Sequence, residues 1–272
     1  MEATPRLLVI MGSGETSPTM VKTHRELLER LGPPPVPAVV LDTPFAFQDN
    51  AGDIAARAVE YFRESVGHPI EVVRLRSTGG DPLEQETARH RLAEARYVFS
   101  GPGSPSYALR EWRSSEMPRL LADKLQSGGC VTFASAAALT LGVVTVPVYE
   151  IYKAGEDPHW LEGLDVLGQV GISAAVVPHY DNAEGGTHDT RFCYLGERRL
   201  ARLEAELPAG AFVLGVDEHT ALVLDLGACT ARVVGLGGVT VRRQGVSTEV
   251  PAGSTLPLDE LVSLAGPAPP PG

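Results

Sequence analysis

Ser135 stands between Ala134 and Ala136, at the end of the apolar run Val131-Thr132-Phe133-Ala134 and ahead of Ala136-Ala137-Ala138-Leu139. The first segment is rich in β-forming residues and short enough for a fully buried strand. The second consists of the strongest helix formers. A strand that passes through small residues into a helix, with serine at the bend, has the layout of a nucleophile elbow. Small neighbours let the turn tighten, keep the hydroxyl clear of the backbone and aim the next amide at the same space. The stretch is equally compatible with a buried Ala/Ser turn without chemistry, because the elbow's usual glycines are absent.

A serine nucleophile needs a base within hydrogen-bond reach, and the base needs an orienting group. Of seven histidines, His24, His68 and His90 sit on or beside charged segments and read as solvated. His159 lies in a polar loop, and His188 in a glycine-rich one. His179 differs: it follows Ala174-Ala175-Val176-Val177 and Pro178, at the end of a predicted strand. Orienting carboxylates are available at Glu218, between two apolar segments, and at Asp217, Asp181 and Glu150. Amides of Gly101-Pro102-Gly103 and of Ala136 can face an oxyanion, except that Pro102 has no N–H. Cys130 is the thiol alternative, but it begins its strand where a nucleophile belongs at the end, so it reads as a core thiol. Gly12-Ser13-Gly14 fits neither phosphate-loop pattern.

These residues need strands to carry them to one rim. Apolar runs at 7–11, 36–41, 70–75, 97–100, 131–134 and 174–177 alternate with helical spacing at 21–31, 51–66, 82–95 and 107–125, the last broken before Pro118. Such alternation predicts right-handed βαβ units and a mostly parallel sheet with helices on both faces. Ligand sites then form at the carboxyl ends of the strands, after Met11, Leu41, Ser100 and Ala134. A basic helix is predicted over 195–207, followed by short strands joined by glycine turns. The chain therefore reads as one α/β domain over 1–265 with a β-rich extension at about 212–250, and a disordered proline-rich tail at 266–272.

The 272 residues carry a formal charge of −11, which argues against nucleic acid and anionic membrane surfaces as partners. Cys130, Cys193 and Cys229 form no CxxC pair, so no metal centre or disulfide framework is expected, and a reducing cytoplasm fits. The apolar run at 7–11 reads as a first strand and not a signal peptide.

Several blocks together resemble the serine peptidases that include dipeptidase E and cyanophycinase. They are Ile10 to Glu15, Phe99 to Ser104, Phe133 to Leu139, Val177 to Ala183, Thr190-Arg191, Gly215 to Glu218 and Gly235 to Val241. The resemblance implies a class I glutamine amidotransferase-like (flavodoxin-like) fold. It implies Ser135 as nucleophile, His179 as base and Glu218 as orienter, with Gly103 and Ala136 as oxyanion donors and no cofactor or metal. It further implies that Arg191 grips an acidic substrate residue, which predicts cleavage at an aspartyl residue; an exposed arginine paired with Asp189 or Glu184 is the competing reading. The expected partner is a small peptide or isopeptide substrate, with a homodimer as one oligomeric option. Ala137 stands where that family's elbow has glycine, so a catalytically impaired binding or regulatory module is the alternative. A glutaminase would need Cys130 as nucleophile and ranks last.

Overall fold

A computed structural model describes residues 4–75 and 81–266. The strands are β1 (Arg6–Met11), β2 (Ala38–Leu41), β3 (Glu71–Val73), β4 (Tyr97–Ser100), β5 (Gly129–Ala134), β6 (Val144–Thr145), β7 (Leu161–Glu162), β8 (Ala174–Val177), β9 (Phe212–Val216), β10 (Thr220–Asp225), β11 (Thr230–Gly235), β12 (Gly238–Arg243), β13 (Val246–Pro251) and β14 (Thr255–Pro257). The helices are α1 (Val21–Leu31), α2 (Ala51–Tyr61), α3 (Pro82–Glu94), α4 (Pro105–Arg113), α5 (Met117–Ser127), α6 (Ser135–Leu139), α7 (Val148–Tyr152), α8 (Gly196–Ala205) and α9 (Leu258–Ser263). A wider π turn, Phe62–Val66, continues α2. The tail expected to be disordered lies, from residue 267, outside the described residues.

An eight-stranded sheet runs in the order β14-β11-β10-β1-β5-β4-β2-β3. Five of these strands, from β1 to β3 in that order, are mutually parallel. The other three join antiparallel on the far side of β1. A second sheet, β13-β12-β9-β8, is antiparallel except for the β8–β9 pair. The strand at 174–177 is thus not part of the parallel series. The extension at 212–250 is divided between the two sheets. The reason lies in β1, whose residues Leu7 to Met11 are fully buried and would otherwise form an exposed edge. The apolar strand β10 covers that edge, with Ile10 paired to Leu222 and Leu8 to Leu224.

Alternation along the central strands divides the core. Leu8, Ile10, Val131 and Phe133 face one cluster with Leu109, Trp112 and Leu121 from α4 and α5. Leu7, Val9, Met11, Cys130 and Ala134 face another with Leu27, Leu31 and Ala58 from α1 and α2. Strands covered on both faces read as continuous apolar runs, which is why β1 and β5 were visible in the sequence. The predicted helix at 107–125 is two helices. Ser104 Oγ accepts from Tyr107 N at 3.1 Å to cap α4, and Ser115 Oγ accepts from Met117 N at 3.1 Å to restart the chain. His24 and His68, expected to be solvated, are buried. His24 donates from Nε2 to the Glu15 carbonyl at 2.7 Å and accepts from Tyr97 Oη at 2.7 Å; burial depresses its pKa to about 4 and keeps it neutral. His68 Nε2 accepts from Val36 N at 2.9 Å.

Candidate active site

Three chain segments converge where the two sheets meet. The β5 strand ends the central sheet at Ala134, whose partner in β1 is Met11, and turns at once into α6. Ser135 makes that turn at φ 49°, a left-handed conformation costly for a residue with a Cβ. Ala136, Ala137 and Ala138 behind it are buried. The Ala137 methyl belongs to the core cluster that holds Phe133 and Trp112, and its N–H donates to the Gly101 carbonyl at 3.2 Å. Alanine in place of glycine at this position is accommodated in the core.

His179 follows β8 in the smaller sheet and is also left-handed, at φ 48°. Glu218 lies in the link between β9 of the smaller sheet and β10 of the larger one. Ser135 Oγ is 2.9 Å from His179 Nε2, and His179 Nδ1 is 2.7 Å from Glu218 Oε1. Burial works against ionisation of Glu218, but hydrogen bonds from His179 and Asn182 outweigh it and hold its pKa below the ordinary value. The ionised carboxylate accepts from Nδ1–H, which leaves Nε2 of a neutral imidazole to accept from the serine hydroxyl.

The other carboxylates have different partners. Asp181 Oδ1 accepts from the backbone N of Glu218 at 2.7 Å, and Asp217 Oδ2 from that of Gly238 at 2.7 Å. Glu150 lies on α7. Asn182 was not singled out from the sequence. It is fully buried and donates from Nδ2 to Glu218 Oε1 at 3.2 Å. Its signal was proximity to His179 in the run Pro178 to Ala183.

Gly103 and Ala136 line the same small cavity as Ser135 and His179. Neither amide donates to an acceptor among the described residues, so both are available to an oxyanion. Gly103 sits at φ 138°, where an added Cβ would lie 2.1 Å from the Pro44 carbonyl oxygen. Arg191 is not among the cavity's lining residues. Its Nε and Nη2 donate to the two Asp189 carboxylate oxygens, each at 2.9 Å, and its guanidinium lies 4.9 Å from the Phe192 ring centroid. This pairing holds the Asp189 carboxyl far below its ordinary range. Cys130 is at the opposite end of β5 in register with Leu7 and Tyr97, and burial pushes its thiol up to about 12.

The cavity contains features that no sequence pattern announced. Phe192, Cys193 and Tyr194 form a left-handed turn at φ 61°, 56° and 65°, without a glycine among them. Cys193, Tyr194 and the half-exposed Tyr149 line the cavity. Beside the site, His219 Nδ1 is 3.0 Å from Thr19 Oγ1. Among the described residues, no group of three or more His, Cys, Asp or Glu side chains is placed to hold a metal ion, and no helix is long and apolar enough to cross a membrane.

No protein-family profile matches the sequence, and no curated protein matches it. Solved structures do. A peptidase from an acI-B1 actinobacterium superposes with a TM-score of 0.73 at 18% identity, over 93% of this chain and 97% of that one. A protein described as a candidate Peptidase E from Listeria monocytogenes EGD-e superposes with a TM-score of 0.53 at 13% identity, over 91% of this chain and all of that one. At these identities the likeness is one of fold: a large central sheet with helices, of the kind found in these two proteins.

Proposed function

We propose that this chain is a serine hydrolase of the dipeptidase E and cyanophycinase kind, with a class I glutamine amidotransferase-like fold, and that it cleaves a peptide or isopeptide bond through an acyl-enzyme. The observation that carries the reading is the unbroken chain of contacts from Ser135 Oγ through His179 to Glu218, at 2.9 and 2.7 Å. Its setting at a left-handed strand-to-helix bend supports the same reading. The peptidase names of the two fold relatives agree with it.

In this mechanism Ser135 Oγ attacks the carbonyl carbon while its proton passes to His179 Nε2. Negative charge develops on the carbonyl oxygen, toward the Gly103 and Ala136 amides. The imidazolium, stabilised by Glu218, returns the proton to the leaving amine. Water then attacks the acyl carbon and loses a proton to His179; the Oγ–acyl bond breaks, His179 returns that proton to Ser135 Oγ, and the acid is released. Asn182 holds Glu218 in line, and Asp181 fixes the Glu218 backbone.

The binding-module alternative takes the substituted elbow as its signature; the packing of the Ala137 methyl with Phe133 and Trp112 favours the hydrolase reading over it. The glutaminase alternative needs a thiolate, and Cys130 is a neutral, buried thiol at the wrong end of β5. Aspartyl selection through Arg191 would require its guanidinium to leave the two Asp189 oxygens that it now meets. The test is labelling with a fluorophosphonate, read by intact mass on wild type and Ser135→Ala. Modification of wild type alone supports the reading. Equal labelling of both proteins, or of neither, counts against it.

A further inference from the structure

We infer that a second cavity, on the α1–α2 side of the loop that holds Gly101 and Gly103, is a binding site for a small free carboxylic acid with an apolar body, its carboxylate held by Arg57 and Thr16. This site goes beyond the hydrolase reading and does not rest on it. The cavity opens between the segments that follow β1, β2 and β4, at the carboxyl ends of strands, where α/β sheets hold their ligands. Its floor is made by Val40, Phe45, Ala58 and Phe99, all buried, with the partly buried Ile54 beside them. Its volume is about 200 Å³. An apolar cavity of about 150 Å³ accommodates benzene, so a phenyl or isobutyl group fits here.

The charged and hydroxyl groups are confined to the rim. Thr16 enters from the loop after β1 and Arg57 from α2, and both are exposed. Among the described residues neither side chain has a hydrogen-bond or ion-pair partner, although Asp53 and Glu60 lie on the same helix as Arg57. No acidic side chain among the described residues lines the cavity. Glu15 lies close by, its Oε1 2.9 Å from where a Cβ on Gly101 would stand; burial raises its pKa and so favours its uncharged form. A guanidinium and a hydroxyl that converge from two elements above an apolar floor suit one carboxylate on an apolar body.

Position separates this ligand from the group that Ser135 attacks. Val40, Ala58 and Phe99 belong to the core cluster on the α1–α2 face, whereas Ala137 and Ala138, which follow Ser135, belong to the α4–α5 cluster. The two cavities share no lining residue. They meet through one stretch of backbone, with Gly101 and Pro102 on this side and Gly103 on the other. The occupant is therefore a free acid and not a part of the acyl group carried on Ser135.

The test titrates 3-phenylpropionate and its neutral amide, 3-phenylpropionamide, into the full nitrogen-15-labelled chain and follows the backbone amide resonances. The acid should bind with a Kd of about 1–10 mM, ordinary for a ligand of this size, and shift the resonances of Thr16, Phe45, Arg57 and Gly101. The amide should bind more weakly. Arg57→Gln, a substitution at an exposed position, should weaken the acid about three- to fivefold and leave the amide unchanged. Ala58→Leu, which fills the floor, should remove binding of both compounds while the circular dichroism stays native. Equal affinity for acid and amide, or for the acid in wild type and Arg57→Gln, would overturn the carboxylate assignment. Shifts centred on Ser135 and His179 would put the acid in the catalytic cavity and overturn the separate site. Absence of binding up to about 50 mM, well above the expected Kd, would overturn the site altogether.

Discussion

Asn182 and His179 share one oxygen of Glu218: Asn182 Nδ2 lies 3.2 Å and His179 Nδ1 2.7 Å from Oε1. The arrangement fixes the carboxylate from two directions. A single hydrogen bond would leave it free to rotate about its terminal torsion. Removing the amide in Asn182→Ala should therefore lower kcat about tenfold to a hundredfold, the equivalent of about 1.5–3 kcal/mol for a hydrogen bond to a charged group. KM for a small substrate should stay nearly constant, because Asn182 acts through Glu218. Steady-state kinetics separates the two, and a change confined to KM would remove Asn182 from the charge-positioning role.

Ser135→Ala and His179→Ala should each reduce turnover by about 10⁴- to 10⁶-fold while the far-ultraviolet circular dichroism stays native. The two groups exchange one proton, so the double variant should be scarcely slower than either single one. Losses that multiply in the double variant would mean that the two side chains act independently.

Gly103→Ala tests the oxyanion loop. The added Cβ would meet the Pro44 carbonyl oxygen at 2.1 Å, and φ is 138°, so the loop must move. The backbone conformation alone should cost about 1–3 kcal/mol of stability. The displaced amide should lower kcat by about 10²- to 10³-fold, the range for losing one oxyanion donor. Urea midpoints and kcat on the same preparation report the two effects, and native kcat would dismiss Gly103 as a donor.

Arg191→Lys should have little consequence. The Arg191–Asp189 pair is largely exposed, and such pairs contribute about 0–1 kcal/mol. Matched aspartyl and asparaginyl dipeptides should show equally small changes in kcat/KM. A loss confined to the aspartyl substrate would restore Arg191 to substrate recognition.

Asp217 gives a pH signature. Burial first, then Asp181, Glu249 and Glu218, raises its pKa from 3.8 to about 6 against the opposing Gly238 N–H. Between those values the folded chain retains a proton that the unfolded chain releases, so stability falls as pH rises through the window. Glu218 has the opposite sign: its depressed pKa gives stability above 4.5 that is lost as pH falls through the folded value. Asp217→Asn should remove the decline between pH 3.8 and about 6 in urea midpoints taken across that range. An unchanged slope would exclude Asp217 as its source.

The central strands and the elbow were legible because burial on both faces of β1 and β5 leaves a continuous apolar run, and because a tight turn needs small residues. His179 was legible as the residue that ends an apolar strand. The neighbours of β8 and β10 were not, since nothing local in Ala174–Val177 or Thr220–Asp225 says which sheet each joins. The sequence left Arg191 open between a substrate carboxylate and pairing with Asp189 or Glu184, because spacing does not say whether a guanidinium turns toward a substrate or back along its own loop; in the structure it pairs with Asp189. The left-handed turn at Phe192–Tyr194 had no glycine to mark it; the hydrogen bonds to His179, Tyr180 and Thr190 that impose it come from tertiary structure.

The placement of β10 beside β1 has a consequence for biosynthesis. The first strand emerges from the ribosome with its Leu7–Met11 edge bare and stays so until residues 221–225 follow. Contacts of such long sequence separation form late and slowly. Glu218 belongs to the link that precedes β10, so its contact with His179 closes in the same late event. Under the proposed reading, a nascent chain that already carries Ser135 and His179 lacks the Glu218 contact to the imidazole until residues 218–225 have folded.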